Sequence, residues 1–158
     1  MMAEEKLRVC LISSTGGHLA QLLQLIPIVK KYEYFIVTEK SEMSMSLPKK
    51  HQTYFLMQQD RKNPFFLFQF ISNVFRSITI LIKEKPDVVI TTGAGAVIPT
   101  CLFGKMMGKK IVYIESFAKI HSPTLTGRVV YKFADRFYIQ WEELREYYPK
   151  AKYRGVIY

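Results

Sequence analysis

Two stretches of this chain join an apolar run to the start of a helix through a turn of small residues. One reads SSTGGHL over residues 13–19, and the other reads TTGAGAVIP over residues 91–99. Glycine lets a backbone approach a bound group closely, and the first amides of a helix have no acceptor within that helix. Turns of this kind bind anions, phosphates above all. The two stretches predict a phosphate or diphosphate site formed by Ser14, Thr15, Gly16, Gly17, Gly93, Ala94, Gly95 and Ala96.

Two other interpretations of these turns stay open. In the first, the glycines only make the turn tight, and Ser14 or Thr15 caps the helix. In the second, the chain is a nicotinamide- or flavin-binding oxidoreductase, an alternative that Glu39 keeps open because it directly follows the second predicted strand. Against that alternative, Ile98 stands where the dinucleotide fingerprint has its third glycine.

Alternating strands and helices have to position these turns. Apolar runs predict strands at residues 7–13, 33–38, 52–57, 87–91, 109–115 and 135–139, and a possible last strand at 153–158. The order of elements predicts a Rossmann-like α/β fold, with a doubly wound parallel sheet in one domain over residues 1–158. Ligands of such folds bind at the carboxyl ends of the strands, where both turns and Glu115 are expected.

The predicted helices lie between these strands. The spacing of apolar residues predicts five helices. Four of them span residues 18–31, with a kink at Pro27, 64–84, 123–133 and 141–147. The fifth follows residue 99 and ends near residue 107. Ser122 and Pro123 are the expected N-cap and first residue of the helix at 123–133. Residues 39–50 match neither period and predict a flexible loop.

The net charge narrows the class of partner, and the cysteines indicate the redox environment. The 158 residues carry a net charge of +10, which favours an anionic partner such as a phosphorylated substrate, an anionic lipid surface or nucleic acid. Lysines and arginines are scattered along the chain, so nucleic acid is the least favoured of these. Cys10 and Cys101 stand at apolar positions, which predicts reduced, cytosolic cysteines, and no Cys or His spacing predicts a metal site. The polar N-terminus does not predict a signal peptide.

The stretch at residues 64–84 is apolar enough to need two apolar neighbours. A narrow polar stripe runs along it, and Arg76 near its middle would be costly inside a bilayer, so no transmembrane span is predicted. One neighbour is the sheet. The other is a membrane surface, a partner protein or the core itself. At a membrane surface, Phe65, Phe66 and Phe68 would enter the lipid, and Arg61 and Lys62 would meet anionic headgroups.

Three motifs, in their order and spacing, resemble those of a known family. They are SSTGGHL, TTGAGAVIP, and YIES at residues 113–116 followed by Ser122 and Pro123. Together they resemble the asparagine-linked-glycosylation-fourteen-like family of oligosaccharide biosynthesis, which includes bacterial capsule and exopolysaccharide subunits. That family is similar to the N-terminal half of the MurG-type lipid-linked sugar transferases. The resemblance covers essentially the whole chain.

The resemblance implies a GT-B glycosyltransferase divided between two polypeptides. This chain would be the half that binds a polyprenyl-diphosphate-linked sugar acceptor and recruits its partner to the cytoplasmic face of the membrane. The partner, similar to the C-terminal half of a GT-B enzyme, would hold the UDP-sugar, with no metal and no other cofactor. A non-catalytic anchor that only recruits and stabilises the transferase is the alternative.

The resemblance also implies roles for single residues. Transfer needs a base for the acceptor hydroxyl, and His18 is one candidate because imidazole exchanges protons near neutral pH. Glu115 is the other, and either residue could instead only hold or orient its neighbours. Two departures from the family are expected to matter. The sequence predicts no counterpart of the N-terminal membrane helix of eukaryotic members, and it has Ala94 and Ala96 where related transferases are often richer in glycine.

Overall fold

Parallel strands form one sheet at the centre of the molecule. The computed structural model describes residues 6–60 and 62–158, so the N-terminal residues 1–5 and Arg61, which was predicted to meet lipid headgroups, lie outside it. The strands are β1 (Arg8–Ser13), β2 (Glu33–Glu39), β3 (Thr53–Leu56), β4 (Val88–Gly93), β5 (Lys110–Ile114), β6 (Arg136–Ile139) and β7 (Lys152–Tyr153). All neighbouring pairs are parallel, in the order β3-β2-β1-β4-β5-β6-β7. The predicted α/β doubly wound parallel sheet is confirmed.

The direction of chain growth reverses between β1 and β4. The chain first builds outward from β1 to β3, then returns to the other side of β1 and adds β4 to β7. Because β1 and β4 are neighbours and Ser13 pairs with Gly93, the two glycine-containing turns leave the sheet side by side. Ligands of open α/β sheets bind in the crevice at such a reversal.

Helices cover the sheet and enclose a core on each face. They are α1 (Gly17–Leu23), α2 (Ile26–Val29), α3 (Phe66–Glu84), α4 (Ile98–Met106) and α5 (Leu125–Val130). Along β1, Val9 and Leu11 belong to one buried cluster, while Cys10 and Ile12 belong to the other. This alternation is the two-residue period of a strand buried on both faces. Cys101 joins the second cluster, and both cysteines are free and buried, as predicted.

Several helix boundaries differ from the prediction, each for a local reason. The single helix expected at 18–31 is two short helices, because Pro27 has no N–H for the carbonyl one turn earlier and its ring crowds that carbonyl. The N-cap of α5 is Thr124 rather than Ser122, and its hydroxyl accepts a hydrogen bond from the amide of Gly127 at 2.8 Å. Glu142–Glu146 forms a 3-10 helix instead of an α-helix.

The remaining differences lie in a loop and at the C-terminal end. Residues 39–50 are not irregular throughout, since Leu47–Lys49 forms a 3-10 helix and the buried Ser44 hydroxyl donates to the carbonyl of Glu39 at 2.8 Å. The last strand is confined to Lys152–Tyr153 and does not continue to residue 158. Gly155, with a φ of 86°, interrupts the extended backbone there.

Candidate functional site

The two predicted turns are joined to each other by His18. Its Nδ1 lies 2.8 Å from the carbonyl oxygen of Thr92, and the Thr92 hydroxyl donates to the carbonyl of His18 at 2.6 Å. Gly93 has a φ of 102°, and a Cβ at this position would come within 2.7 Å of the Tyr113 hydroxyl. Only glycine therefore lets the second turn pass between His18 and Tyr113, and the predicted juxtaposition of the two turns is present.

The hydrogen bond of His18 determines which ring nitrogen is available for chemistry. A backbone carbonyl can only accept, so Nδ1 carries the hydrogen in this contact. In the neutral ring Nε2 is then the nitrogen with a free lone pair. His18 is half-buried, so it is both held in place and accessible. A ring held in this way suits a general base.

The first turn presents its backbone to open space. Gly16 is the N-cap of α1, with a φ of 72° and no side-chain cap, so the alternative that Ser14 or Thr15 caps this helix does not hold. Gly16 and Gly17 are exposed, and a Cβ at either would have no neighbour within 4 Å. The backbone of this turn can therefore be approached by a ligand.

The second turn carries backbone strain. Ala94 has a φ of 78° and a ψ of 159°, a conformation that glycine adopts readily and residues with a side chain rarely do. Gly95–Val97 continues as a 3-10 helix that leads directly into α4. Strain of this kind persists only where the surrounding structure enforces it, and it is concentrated at binding and catalytic sites.

Glu115 lies at the end of β5 and is completely buried. Its Oε1 accepts from the amide of Ser116 at 2.8 Å, and its Oε2 accepts from the Tyr148 hydroxyl at 2.8 Å and the amide of Thr124 at 3.2 Å. The Thr124 hydroxyl donates to the same carboxylate at 2.9 Å. Glu115 therefore holds both ends of the loop over residues 116–124. A Cβ on Gly127 would collide with this carboxylate, so the packing here requires glycine.

The neighbours of Glu115 are held in their donor form. Burial, and then the charge of the Glu115 carboxylate, raise the pKa of the Tyr113 and Tyr148 hydroxyls well above their usual range. Both phenols therefore keep their protons and can donate to the carboxylate. Glu115 was predicted either to act as the base or to orient its neighbours, and these hydrogen bonds suit the orienting role. The identity of the base stays a prediction.

A cavity of about 260 Å³, here called the inner cavity, opens beside the two turns. Its lining consists of Ser14, Glu39, Gln59, Phe66, Phe70, Ala94, Gly95, Ala96 and Ile98. Sequence reasoning considered Glu39 only as a nucleotide ligand and did not single out Gln59. The position of Glu39 at the carboxyl end of β2, next to the first turn, is the one signal that pointed here.

The outward face of α3 is apolar, and its inward face is partly polar. Asn73 is fully buried, where its side chain bonds the amide and the carbonyl of Met57, each at 2.8 Å. Ser77 is also buried and accepts from the Thr100 hydroxyl at 2.8 Å. The outward face exposes 46–67% of each of Phe65, Leu67, Phe68, Ile71, Phe75 and Ile82.

The predicted membrane contacts are only partly on this face. Phe65 and Phe68 are two-thirds exposed, but Phe66 is half-buried, stacks on Phe70 with ring centroids 6.4 Å apart and lines the inner cavity. By length and composition α3 could cross a membrane. Its hydrogen bonds to Met57, directly after β3, and to Thr100 of α4 make it part of the layer that covers the sheet.

Metal ligation has no support in the part of the chain that the structure describes. No group of three or more His, Cys, Asp or Glu side chains there could hold a metal ion.

Known proteins resemble this sequence over nearly its whole length. Residues 9–157 match a family described as "Oligosaccharide biosynthesis protein Alg14 like". A protein of Schizosaccharomyces pombe named UDP-N-acetylglucosamine transferase subunit alg14 is 31% identical, over 90% of this chain and 80% of its own length. The rat protein named UDP-N-acetylglucosamine transferase subunit ALG14 is 26% identical, over 97% of this chain and 84% of its own.

Two solved structures of larger proteins contain this fold in a little less than half of their length. Acinetobacter baumannii MurG superimposes with a TM-score of 0.72 at 16% identity, covering 87% of this chain and 42% of that protein. UDP-N-acetylglucosamine 2-epimerase from Rickettsia bellii gives a TM-score of 0.71 at 16% identity, covering 96% of this chain and 45% of its own. The chain therefore spans less than half the length of these structural neighbours.

Proposed function

The chain belongs to the Alg14-like family of oligosaccharide biosynthesis proteins, as its motifs predicted, and we propose that it is the acceptor-binding subunit of a two-component UDP-sugar glycosyltransferase. Its curated relatives are named as subunits of a UDP-N-acetylglucosamine transferase. The chain has the fold of less than half of MurG, and the word subunit in the names of its relatives supports a partner polypeptide. That partner binds the UDP-sugar and completes the active site.

One observation carries this proposal. The two turns are linked through His18 and Thr92 at the reversal point of the sheet, with the exposed backbone of Gly16 and Gly17 beside them. Backbone amides of this kind suit the diphosphate of a polyprenyl-linked sugar. The net charge of +10 adds a long-range attraction for that anion.

The proposed chemistry uses His18 as the base. Its Nε2 takes the proton of the acceptor hydroxyl while that oxygen forms the new bond to the anomeric carbon of the donor sugar. The bond from that carbon to the UDP oxygen breaks, and UDP leaves with the electron pair. Attack from the face opposite UDP inverts the anomeric centre, and no step needs a metal ion. Glu115 positions the loop over residues 116–124 and does not touch the reacting atoms.

The proposed location is the cytoplasmic face of the membrane, where the acceptor lipid is anchored. The exposed apolar face of α3 supports it, because an apolar helix face of this length is costly to leave in water. Arg76 and Lys83 lie on the same helix, are exposed and can meet anionic headgroups. Capsule or exopolysaccharide synthesis is the pathway predicted from the resemblance and stays a prediction.

Of the alternatives, the non-catalytic anchor is the one to be tested. In a non-catalytic anchor His18 would only join the two turns, whereas in a catalytic subunit it would also act as the base. The oxidoreductase alternative is not favoured, because Ile98 stands where the dinucleotide fingerprint has its third glycine and the curated relatives are named as transferase subunits.

Equilibrium binding to the full chain tests the proposal. The two probes are a short-chain polyprenyl diphosphate carrying N-acetylglucosamine and free UDP-N-acetylglucosamine, each measured by calorimetry in detergent. We expect the lipid-linked diphosphate to bind at least about tenfold more tightly than the nucleotide sugar, since the donor site belongs to the partner. Tighter binding of the nucleotide sugar would overturn the proposed division of labour.

A further inference from the structure

The inner cavity holds two polar side chains, Glu39 and Gln59, that the proposed diphosphate site does not use. Glu39 is buried, with 5% of its surface exposed, and it lines the cavity. Its Oε1 accepts from the amide of Gln59 at 2.9 Å, and its Oε2 accepts a long bond of 3.4 Å from the amide of Thr15. A carboxylate oxygen has room for two donors. Each oxygen of Glu39 can therefore accept one more hydrogen bond from a ligand.

Gln59 supplies a donor next to this acceptor. Its Nε2 is buried and has no hydrogen-bond partner among the described residues, which is uncommon for a buried amide. Gly95 lies close to the same side chain, with a Cβ position 3.9 Å from Gln59 Oε1. Ser14 adds a hydroxyl that donates a long hydrogen bond of 3.4 Å to the carbonyl of Thr15. The polar wall thus offers a donor, an acceptor and a hydroxyl within one small volume.

The opposite wall is apolar. Phe66 and Phe70 form it as a stacked pair, and Ile98 completes it. A cavity of about 260 Å³ lies below the range of drug-sized sites, which is about 300–1,000 Å³. Its ligand is therefore a single small ring or chain with a polar edge and an apolar face.

The charge of Glu39 excludes one candidate occupant. A diphosphate placed in the inner cavity would lie beside a buried carboxylate, and like charges repel strongly where water is displaced. A neutral group rich in hydroxyls meets no such repulsion and can donate to both carboxylate oxygens. The diphosphate has open space beside Gly16 and Gly17 instead. The residues that were predicted to bind the diphosphate but line the inner cavity would face the sugar, namely Ser14, Ala94, Gly95 and Ala96.

We propose that the inner cavity binds the sugar ring of the lipid-linked acceptor, with Glu39 and Gln59 as its specificity-determining residues. The inference rests on the proposed function and adds the position and the recognition chemistry of the sugar. Glu39 accepts two ring hydroxyls, Gln59 donates to a ring or substituent oxygen, and the Phe66 and Phe70 rings cover the apolar face. The ribose of a nucleotide presents similar hydroxyls, so the test has to separate the two sources.

The test compares lipid diphosphates with and without a sugar on the full chain. The probes are phytanyl diphosphate, phytanyl diphosphates carrying N-acetylglucosamine, glucose or galactose, and uridine. Affinities are measured for the wild type, Glu39→Gln and Gln59→Ala, with the exposed neighbour Gln58→Ala as the matched control. Thermal unfolding verifies that each variant is folded. If Glu39→Gln does not fold, the test uses Gln59→Ala alone.

The inference predicts that the wild type binds at least one sugar-bearing lipid about tenfold or more tightly than the bare one. Glu39→Gln and Gln59→Ala lose this preference and keep the affinity for bare phytanyl diphosphate, while Gln58→Ala behaves like the wild type. An unchanged sugar preference in both folded variants overturns the inference, as does a loss confined to uridine binding. If the wild type binds no lipid diphosphate at all, the proposed function itself fails.

Discussion

His18 combines a fixed ring orientation with one available nitrogen. The contact from Nδ1 to the Thr92 carbonyl leaves Nε2 as the only nitrogen of the neutral ring that can take a proton. The same contact joins the two turns, so a substitution of His18 could act through chemistry or through structure. Separating these effects decides between a catalytic subunit and an anchor.

We expect His18→Ala and His18→Gln to lower the kcat of the reconstituted two-chain enzyme by about 10²- to 10⁴-fold, the usual contribution of a general base. The KM for the lipid-linked acceptor should change much less, because backbone amides hold the diphosphate. Steady-state kinetics with varied acceptor measures both. His51→Ala is the matched control, since His51 is also half-buried and hydrogen-bonded, to Tyr34 at 2.8 Å, away from both turns. Full turnover by His18→Ala would make this chain a scaffold.

Sequence reasoning at the residue scale succeeded where the signal was local. The two turns and His18 are short motifs, and their juxtaposition follows from adjacent parallel strands. The surroundings of Glu115 could not be predicted, because its partners Thr124 and Tyr148 approach from distant parts of the chain. Gln59 was missed for the same reason, since nothing in its own stretch of sequence marks a buried amide that has no partner among residues 6–60 and 62–158.

At the scale of the element, α3 is an amphipathic helix with its apolar side outward. Polar residues at inward positions find partners in Met57 and Thr100, so they stabilise the contact with the rest of the fold. The sequence predicted the helix and its polar stripe. Which side faced the sheet depended on those two distant partners, so the inward position of Phe66 could not be foreseen.

We expect the triple change of Phe65, Phe68 and Phe75 to Ser to weaken binding to phosphatidylglycerol-containing vesicles by at least about tenfold, through the loss of buried apolar area. Vesicle flotation measures the bound fraction. Ile28→Ser on α2, where 63% of the side chain is exposed, serves as the apolar control. Unchanged flotation of the folded triple variant would contradict the proposed membrane face.

The other end of α3 is held by an ionic contact. Glu84 is buried and bonded by Arg8 of β1 and Tyr54 of β3. Burial alone would raise the pKa of the Glu84 carboxyl, but the hydrogen bonds from Tyr54, Arg8 and Gln52 and the Arg8 charge outweigh it and hold the pKa below its usual range. A lowered carboxyl pKa contributes stability that is present above the unfolded-state pKa and is lost as the pH falls through the folded-state pKa.

Glu84→Gln should therefore reduce the free energy of unfolding by about 3 kcal/mol at neutral pH, because it leaves Arg8 without its buried partner. The difference from the wild type should shrink as the pH falls below about 4, the range in which a free glutamate protonates. Urea unfolding across this pH range measures it. Glu33→Gln is the control, since Glu33 also pairs with Arg8, at 3.2 Å, but is exposed, and should cost at most about 1 kcal/mol. Equal destabilisation by Glu84→Gln at all pH values would contradict this account.

At the scale of the whole molecule, the architecture was the most predictable feature. Continuous apolar runs separated by helical segments indicate a parallel sheet buried on both faces, and that pattern depends on few long-range details. The short helices and the last strand were less predictable, because Pro27, Thr124 and Gly155 set their ends through local backbone geometry. The fold matches less than half of MurG, and the basis for expecting a partner is that the curated relatives are named as transferase subunits.

Turnover by the two chains together tests the central claim most directly. The chain is purified alone and in complex with the donor-binding subunit that copurifies from its host, and each sample receives labelled UDP-N-acetylglucosamine and a polyprenyl-diphosphate-linked sugar. We predict labelled lipid product only when both chains are present. Product formed by either chain alone at the rate of the complex would contradict the claim.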